Sequence, residues 1–444
     1  MSRQISTVAP GPGRGRRAFL RARRKRIVWG CLALLLALVV LAAGLIWRQF
    51  DRGWALQDQA AAAAADYHFD IFTYEVGAIA GKVGDSPRRL GVRLTPAEQR
   101  QLVESYHDRA GRSAWLERRI NRIYANPDVA DPDAASANLR AQLADLRDEQ
   151  AELRPLVEAV LERQVTAALE AAGLTTASVI FPPVRFNFSD MPHYLILSPR
   201  EQIRMEAGVY LQPQLDLAQI EAIEQAIAQQ FGRSTLIEGL GGLGVWPTMV
   251  MDEASLSWIL ATVVHEWVHT YLAFRPLGWG MFDSGEMNTI NETVATIIGD
   301  ELGQALAEAV YGIPAPAPPA AGQRSAPPPE PEPDRFDFVT EMRRTRLHVD
   351  ALLDAGEVAA AEAYMEERRQ LFVANGFPLR KLNQAYFAFH GSYATGPASS
   401  DPIGPKLVEL RARMPDLATF LRAVQGIRRP SHLDDLLAVW PPRE

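Results

Sequence analysis

The chain has 444 residues, of which 48% are hydrophobic and 22% charged, a composition typical of globular proteins. Its single cysteine, Cys31, excludes an internal disulfide. The formal net charge is −7, and residues 1–26 hold nine basic side chains and no acidic one, which leaves −16 on the rest of the chain. A body this acidic is a poor binder of nucleic acid, so we expect no such partner.

An apolar segment follows the basic N-terminus. Residues 27–47 (IVWGCLALLLALVVLAAGLIW) carry no charge, and they are long enough for a helix across the roughly 30 Å of a bilayer core. A secretory signal core is shorter, about 7–15 residues, so we predict a transmembrane helix; cleavage near Ala42–Ala43–Gly44 is the alternative. The positive-inside rule then predicts that residues 1–26 are a disordered cytoplasmic tail and that the rest of the chain lies outside the cell membrane.

The region 48–174 is predicted to be helical. Between residues 139 and 160, apolar residues recur at spacings of four and three, which is a heptad pattern. Pro155 lies inside the pattern and should kink or end the helix. We expect a helical hairpin that packs on its own domain; a homodimeric coiled coil through 139–160 is the alternative. The predicted helices cover 53–83, 96–124 and the stretch from Asp131 onward.

The region 175–312 mixes strands and helices. Three strands rich in Val, Ile, Phe and Tyr are predicted before residue 214, and a helix at 216–231 has Asp216 as its cap. Residues 241–250 (GGLGVWPTMV) suit an edge strand, where Pro247 is tolerated. Two further helices are predicted, at 253–274 and at 289–311, the second ended by Gly312.

The last part of the chain begins with a proline-rich linker. Residues 313–334 hold nine prolines and no aromatic residue, which is typical of a flexible, partly extended segment. The remainder, 335–444, is predicted to be helical. Its helices are placed at 335–354, 357–374, 380–393, 406–425 and 431–439.

The sequence VVHEWVHTYL contains the pattern H-E-x-x-H at His265, Glu266 and His269. Residues four apart lie on one face of a helix, so both imidazoles can bind one metal ion. Glu266 is rotated by about 100° and can orient a water at the metal without binding the metal itself. The surrounding segment is almost wholly apolar, where three ionisable groups are costly without a partner. We therefore predict a divalent metal site, zinc by its ligand types, with manganese or cobalt fitting less well.

A catalytic zinc ion normally has three protein ligands and an open fourth position. We predict Glu292 as the third ligand, because a second helix packed against the first could bring its carboxylate close. Glu286 is the reserve candidate. Thr289 and Glu292 also spell a capping box, in which Glu292 would instead bond to the backbone of Thr289.

The chain resembles the gluzincin metallopeptidases, the thermolysin-like zincins, and especially bacterial predicted aminopeptidases. Four stretches carry the resemblance: HEWVH, NETVAT, GDE and LNQAYFAFHGSYA. The resemblance covers roughly 175–311 and 380–425. It implies a mainly helical α+β fold, with a zincin catalytic core over 175–312 and a small sheet before the metal helix. It also implies that zinc-dependent hydrolysis of a peptide substrate is the activity. Thermolysin-type members place an Asp where this chain has Thr296, so Asn291 or Asp300 is expected to support a ligand histidine instead.

The resemblance further implies a Tyr or His from the C-terminal region as the group that stabilises the oxyanion. Tyr386, His390 and Tyr393 are spaced to share a helix face, and we favour Tyr393, with His390 next. A packed aromatic stripe is the alternative for all three. For the whole protein there are two alternatives. One is a non-catalytic anchored scaffold with a structural metal. The other is an intramembrane protease, and the acidic residues around 252 and 283–301 disfavour that one.

Overall fold

The computed structural model describes residues 54–84, 94–124, 126, 128–315, 336–393, 396, 398–399 and 402–442. The predicted tail and transmembrane segment, 1–47, and nearly all of the proline-rich linker lie outside these ranges. Among the described residues, no helix has the length and apolar character needed to cross a membrane. The described chain is mainly helical with two small sheets, as expected for the predicted class.

The described residues of the N-terminal part contain four α-helices. They are α1 (Trp54–Ala63), α2 (Ile71–Gly84), α3 (Pro96–Tyr124) and α4 (Pro132–Ala171). The Asp131 side chain caps α4 by accepting a hydrogen bond from the backbone of Ala134. α3 and α4 form the predicted hairpin: Leu143 is buried with Leu116 and Ile120 in one apolar cluster, so the heptad face is covered within the chain.

α4 continues through Pro155, so of the two predicted effects, a kink or an end of the helix, the end does not occur. A proline inside a helix costs about 3 kcal/mol because it removes a hydrogen bond and crowds the preceding turn. The residues just beyond it, Val157, Val160 and Leu161, are completely buried in the largest apolar core. Burial of such side chains contributes about 1.5–3 kcal/mol each, which outweighs the cost.

The three predicted strands are confirmed as β1 (Phe186–Phe188), β2 (His193–Ser198) and β3 (Ala207–Leu211). β2 is the centre of an antiparallel sheet, with β3 on one side and β4 (Ser234–Gly239) on the other. The predicted single edge strand at 241–250 is instead two short strands, β5 (Gly242–Leu243) and β6 (Thr248–Val250), paired antiparallel. β6 also pairs in parallel with β1, and β5 is left at the edge of this second sheet.

The helices around the predicted metal site have well-defined ends. α5 (Leu217–Phe231) has the predicted Asp216 cap, in a complete capping box with Gln219. α6 (Leu256–Leu272) is capped by Ser255, and the short helix α7 (Pro276–Trp279) follows it. α8 runs over Gly285–Tyr311 and ends at Gly312, as predicted.

α8 begins four residues earlier than predicted, because Ser284 is its N-cap and accepts a hydrogen bond from Met287 N. Thr289 is therefore inside the helix. A capping box needs its Thr at the N-cap, so that alternative role for Glu292 is wrong. The carboxylate of Glu292 is left for another partner.

α6 and α8 pack unusually close together. A Cβ atom at Gly303 would lie 2.5 Å from Ala261 N, and one at Gly299 would lie 2.8 Å from Ala261 O. Real side-chain atoms do not come this close, so glycine at these two positions allows the approach of the helices.

From residue 336 onward, the part of the chain that the structure describes contains six α-helices. They are α9 (Phe338–Asp354), α10 (Val358–Ala374), α11 (Gln384–His390), α12 (Ile403–Arg413), α13 (Leu417–Val424) and α14 (Ser431–Val439). The prediction of one helix over 406–425 is wrong. Met414 has extended backbone angles, and Asp416 starts a new helix by capping Thr419 N.

The described side chains form three main apolar cores. The largest joins α3 and α4 to α6, α8 and the helices α12–α14. The second packs one face of the β3–β2–β4 sheet against α9, α10 and α11, and the third packs the other face against α1 and α5. The largest core thus holds the helix pair α6–α8, and the second holds α11, which ends next to that pair.

Candidate metal centre

The two histidines of the H-E-x-x-H pattern lie on one face of α6. The Nε2 atoms of His265 and His269 are 3.0 Å apart, and their rings are nearly perpendicular. α6 is otherwise apolar and largely buried. The helix therefore presents two ring nitrogens from successive turns to one point.

Glu292 of α8 faces these two nitrogens. Its Oε2 atom lies 3.5 Å from the Nε2 atom of His265 and 3.5 Å from that of His269. This oxygen is buried and has no hydrogen-bond partner among the described residues. A buried carboxylate oxygen without a partner is costly, so its position between two imidazoles indicates a site made for a cation.

The three atoms fit a divalent transition metal. Nitrogen and oxygen ligands that bind a tetrahedral zinc ion at about 2.0–2.1 Å lie about 3.3–3.4 Å from one another. The observed separations of 3.0, 3.5 and 3.5 Å match this spacing. The described residues contain one such group of possible ligands, His265, His269 and Glu292. Glu286, the reserve candidate, is exposed in the first turn of α8 and is not part of it.

The electrostatics reflect the mutual dependence of these groups. Burial alone would lower the pKa of His269, but the facing Glu292 carboxylate raises it to about 9. Burial alone would raise the pKa of Glu292, but His269 and His265 hold it well below its usual range. A bound cation would take over the role of the proton shared among these groups.

Asn291 orients one of the ligands. His269 Nδ1 donates a hydrogen bond to Asn291 Oδ1 at 2.7 Å, and the Asn291 amide lies 3.5 Å from Leu277 O. This bond places the proton of His269 on Nδ1 and leaves the lone pair of Nε2 directed at the site. Of the two residues expected to support a histidine, Asn291 does so. Asp300 is exposed and has no hydrogen bond to either histidine in the described part of the chain.

Glu266 is buried directly beneath β5. A Cβ atom at Gly242 would overlap Glu266 Oε1, and one at Gly244 would lie 3.2 Å from Oε2. The predicted glycine-rich segment is thus the strand that covers this carboxylate. Burial raises the pKa of Glu266, and the two histidines oppose that effect. A carboxylate made more basic in this way is better suited to accept a proton.

Tyr393 lies next to the ligands, with its ring centre 6.5 Å from that of His265. Its pKa is raised well above the usual value by the Glu292 charge and then by burial, so it is a neutral O–H donor. Tyr386 and His390 share a face of α11 as predicted, with ring centres 4.3 Å apart, but the prediction is wrong for Tyr393, because α11 ends at His390. His390 instead faces Glu238, with 3.7 Å between Nε2 and Oε1.

Sequence reasoning missed a second tyrosine. Tyr210 on β3 packs against Tyr194 of β2, with ring centres 4.7 Å apart and the ring planes tilted by 41°. Burial raises the pKa of Tyr210, and the charges of Glu266 and Glu292 raise it further. These two carboxylates of the site therefore act electrostatically on the Tyr210 hydroxyl. No motif marks Tyr210, since β3 is separated from the histidines by 54 residues or more.

Comparison of the chain with protein-family models finds no match, and comparisons with curated proteins and with solved structures find none either.

Proposed function

We propose that this protein is a membrane-anchored zinc metallopeptidase of the gluzincin type. The observation that carries the proposal is the convergence of His265, His269 and Glu292, with Glu266 buried beside them. Two imidazoles and one carboxylate are the ligand set of several zinc hydrolases and leave a fourth position open. The sequence resemblance and the helix-borne pattern support the same assignment.

A bound zinc ion supplies Lewis-acid chemistry: it activates a water molecule and polarises the scissile carbonyl group. Glu266 then acts as the general base. Its carboxylate accepts the proton of the attacking water and later donates it to the leaving amine. Burial of Glu266 under β5 raises its pKa and so favours the first of these transfers, the acceptance of the proton from water.

Tyr393 is proposed to stabilise the negative charge that develops on the carbonyl oxygen. Its hydroxyl is protonated at all physiological pH values, because Glu292 and burial both oppose ionisation. A neutral donor held near the reacting carbonyl contributes without needing to reorganise.

β5 is proposed to bind the substrate backbone. Among the described strands it pairs only with β6, so its other edge is open to an extended peptide. This edge lies over Glu266 and next to His269, as the close contacts at Gly242 and Gly244 show. Cleavage from the amino terminus, an exterior location and anchoring through residues 27–47 complete the proposal.

The test is a comparison of Glu266→Gln with the unmodified full chain. Both should bind one zinc ion by metal analysis, and only the unmodified chain should cleave a peptide library. Glu286→Gln is the matched control, since that carboxylate is exposed and outside the ligand group. Zinc bound without cleavage by either protein would support a structural metal in a scaffold. Failure of the unmodified chain to bind zinc would refute both assignments.

A further inference from the structure

The helix α2 carries an apolar stripe that the described chain does not cover. Phe72, Val76 and Ile79 lie at spacings of four and three, so they share one side of the helix. Phe72 is 74% exposed and Val76 54%. The helix is held to the body by its other sides, where Tyr74 bonds to Ser189 and Lys82 pairs with the buried Glu158.

A second group of exposed apolar side chains adjoins this stripe. Glu75 is a surface neighbour of both Phe72 and Ile79 on α2, and its carboxylate accepts a hydrogen bond from Trp246 N at 3.2 Å. The Trp246 ring in turn donates to Pro183 O at 3.1 Å. Trp246 therefore joins the stripe to the segment before β1.

The group continues to the end of the metal-site helix. Phe181 stands two residues before Pro183. Its ring packs against that of Phe274, with the two ring centres 5.2 Å apart. Trp279 donates its ring N–H to Ala273 O, beside Phe274. All of these side chains are substantially exposed. We call this set of exposed side chains the aromatic surface; it consists of Phe72, Val76, Ile79, Val179, Phe181, Trp246, Phe274 and Trp279.

We propose that the aromatic surface lies in the interfacial layer of the lipid bilayer. Contiguous exposed apolar surface on a folded protein marks an interaction site. Tryptophan and phenylalanine beside aliphatic residues are the side chains that settle at the boundary between headgroups and acyl chains.

The short segment between the predicted transmembrane helix and α1 favours lipid as the partner of the aromatic surface. Only residues 48–53 separate the predicted transmembrane segment from α1. Even fully extended, six residues reach only about 20 Å, so the body would be held close to the bilayer. The open edge strand β5 ends three residues before Trp246, which places the proposed substrate strand near the membrane surface. The proposal on lipid contact rests on the proposed anchoring through residues 27–47 but does not require the chain to be a peptidase.

The experiment uses the full chain with Cys31→Ser, which removes the only cysteine. Single cysteines at Phe72, Val76 or Trp279 are labelled with an environment-sensitive fluorophore. The protein is reconstituted in phosphatidylcholine and phosphatidylglycerol vesicles with brominated acyl chains. A cysteine at Val439 is the matched control, because its side chain is 72% exposed but belongs to α14.

Labels at the aromatic surface should be quenched at least about twofold more than the label at Val439, since an interfacial apolar face sinks about 5–10 Å into the headgroup boundary. The double change Phe72→Asp and Val76→Asp should lower the quenching of the fluorophore attached at position 279. It should leave the far-UV circular dichroism unaltered. Quenching equal to that at Val439 would overturn the proposal. Labels shielded from water but not quenched would show a protein partner or a second copy instead. Failure of the chain to float with the vesicles would also overturn it, whereas loss of peptidase activity would have no bearing on it.

Discussion

An alanine at Gly299 or Gly303 should separate α8 from α6 and disturb the metal centre from outside it. At Gly299 the new Cβ atom would be 2.8 Å from Ala261 O and 3.0 Å from His265 Cβ. Both distances are roughly 0.5–1 Å short of a comfortable contact. The helices must therefore move apart by a similar amount.

The two opposing energies can be compared. Replacing a helical glycine by alanine gains about 0.8–1.0 kcal/mol in helix propensity, while overpacking costs about 1–3 kcal/mol. The net effect of Gly299→Ala is a loss of roughly 0–2 kcal/mol in the free energy of unfolding. Gly303→Ala should lose more, because its Cβ would meet the backbone of Ala261. Zinc sites tolerate deviations of only about 0.2 Å in ligand distance, so zinc affinity should fall about 10–100-fold in Gly299→Ala, as for other supporting residues.

The assay pairs urea unfolding with zinc competition against a chromophoric chelator. Gly285→Ala is the matched control, since it is the same change in the same helix with nothing within 4 Å of the new atom. Gly285→Ala should keep full zinc affinity and be equally or more stable than the unmodified chain. The reasoning would be refuted if Gly299→Ala matched Gly285→Ala in both measurements.

Three further predictions concern the site itself. Zinc binding needs neutral imidazoles, and His269 has a metal-free pKa of about 9, so affinity should rise about tenfold per pH unit from neutral pH and level off above pH 9; a pH-independent affinity in chelator competition would contradict this. Asn291→Leu should lower zinc affinity about 10–100-fold because His269 loses its hydrogen-bond acceptor, whereas Asn291→Asp keeps an acceptor and should retain most of it; equal losses in the two variants would argue against the orienting role. Tyr393→Phe should lower kcat about 10²–10³-fold with zinc affinity unchanged; unchanged kcat would remove Tyr393 from the proposed mechanism.

Local chemistry was readable from the sequence alone. The helix start at Asp131, the cap at Asp216 and the stop at Gly312 depend on residues within a few positions of the helix end, and all three occur as predicted. The i, i+4 spacing of His265 and His269 is likewise a property of one helix. The hairpin of α3 and α4 followed from the apolar pattern between 139 and 160, which needs a partner and has one nearby in the chain.

The errors arose where packing outweighed a local signal. α4 continues past Pro155 because the residues after the proline are buried in the largest core. The helix predicted over 406–425 breaks at Met414 because Asp416 caps a new helix. The start of α8 was misplaced because Thr289 and Glu292 fit a capping box, whereas the structure has Ser284 as the N-cap. That shift decided whether Glu292 could be a cap or a ligand.

The convergence of the site came only from the tertiary structure. The sequence identified His265, Glu266, His269 and Glu292 and ranked Glu292 above Glu286, but the distances between these groups come only from the packing of α6 against α8. Packing through Gly299 places the Glu292 carboxylate between the histidines, and the end of α11 places Tyr393 beside them. Helix periodicity and caps depend on hydrogen bonds within a turn or two, whereas the meeting of groups from distant segments depends on how whole helices fit together, which no short stretch of sequence encodes.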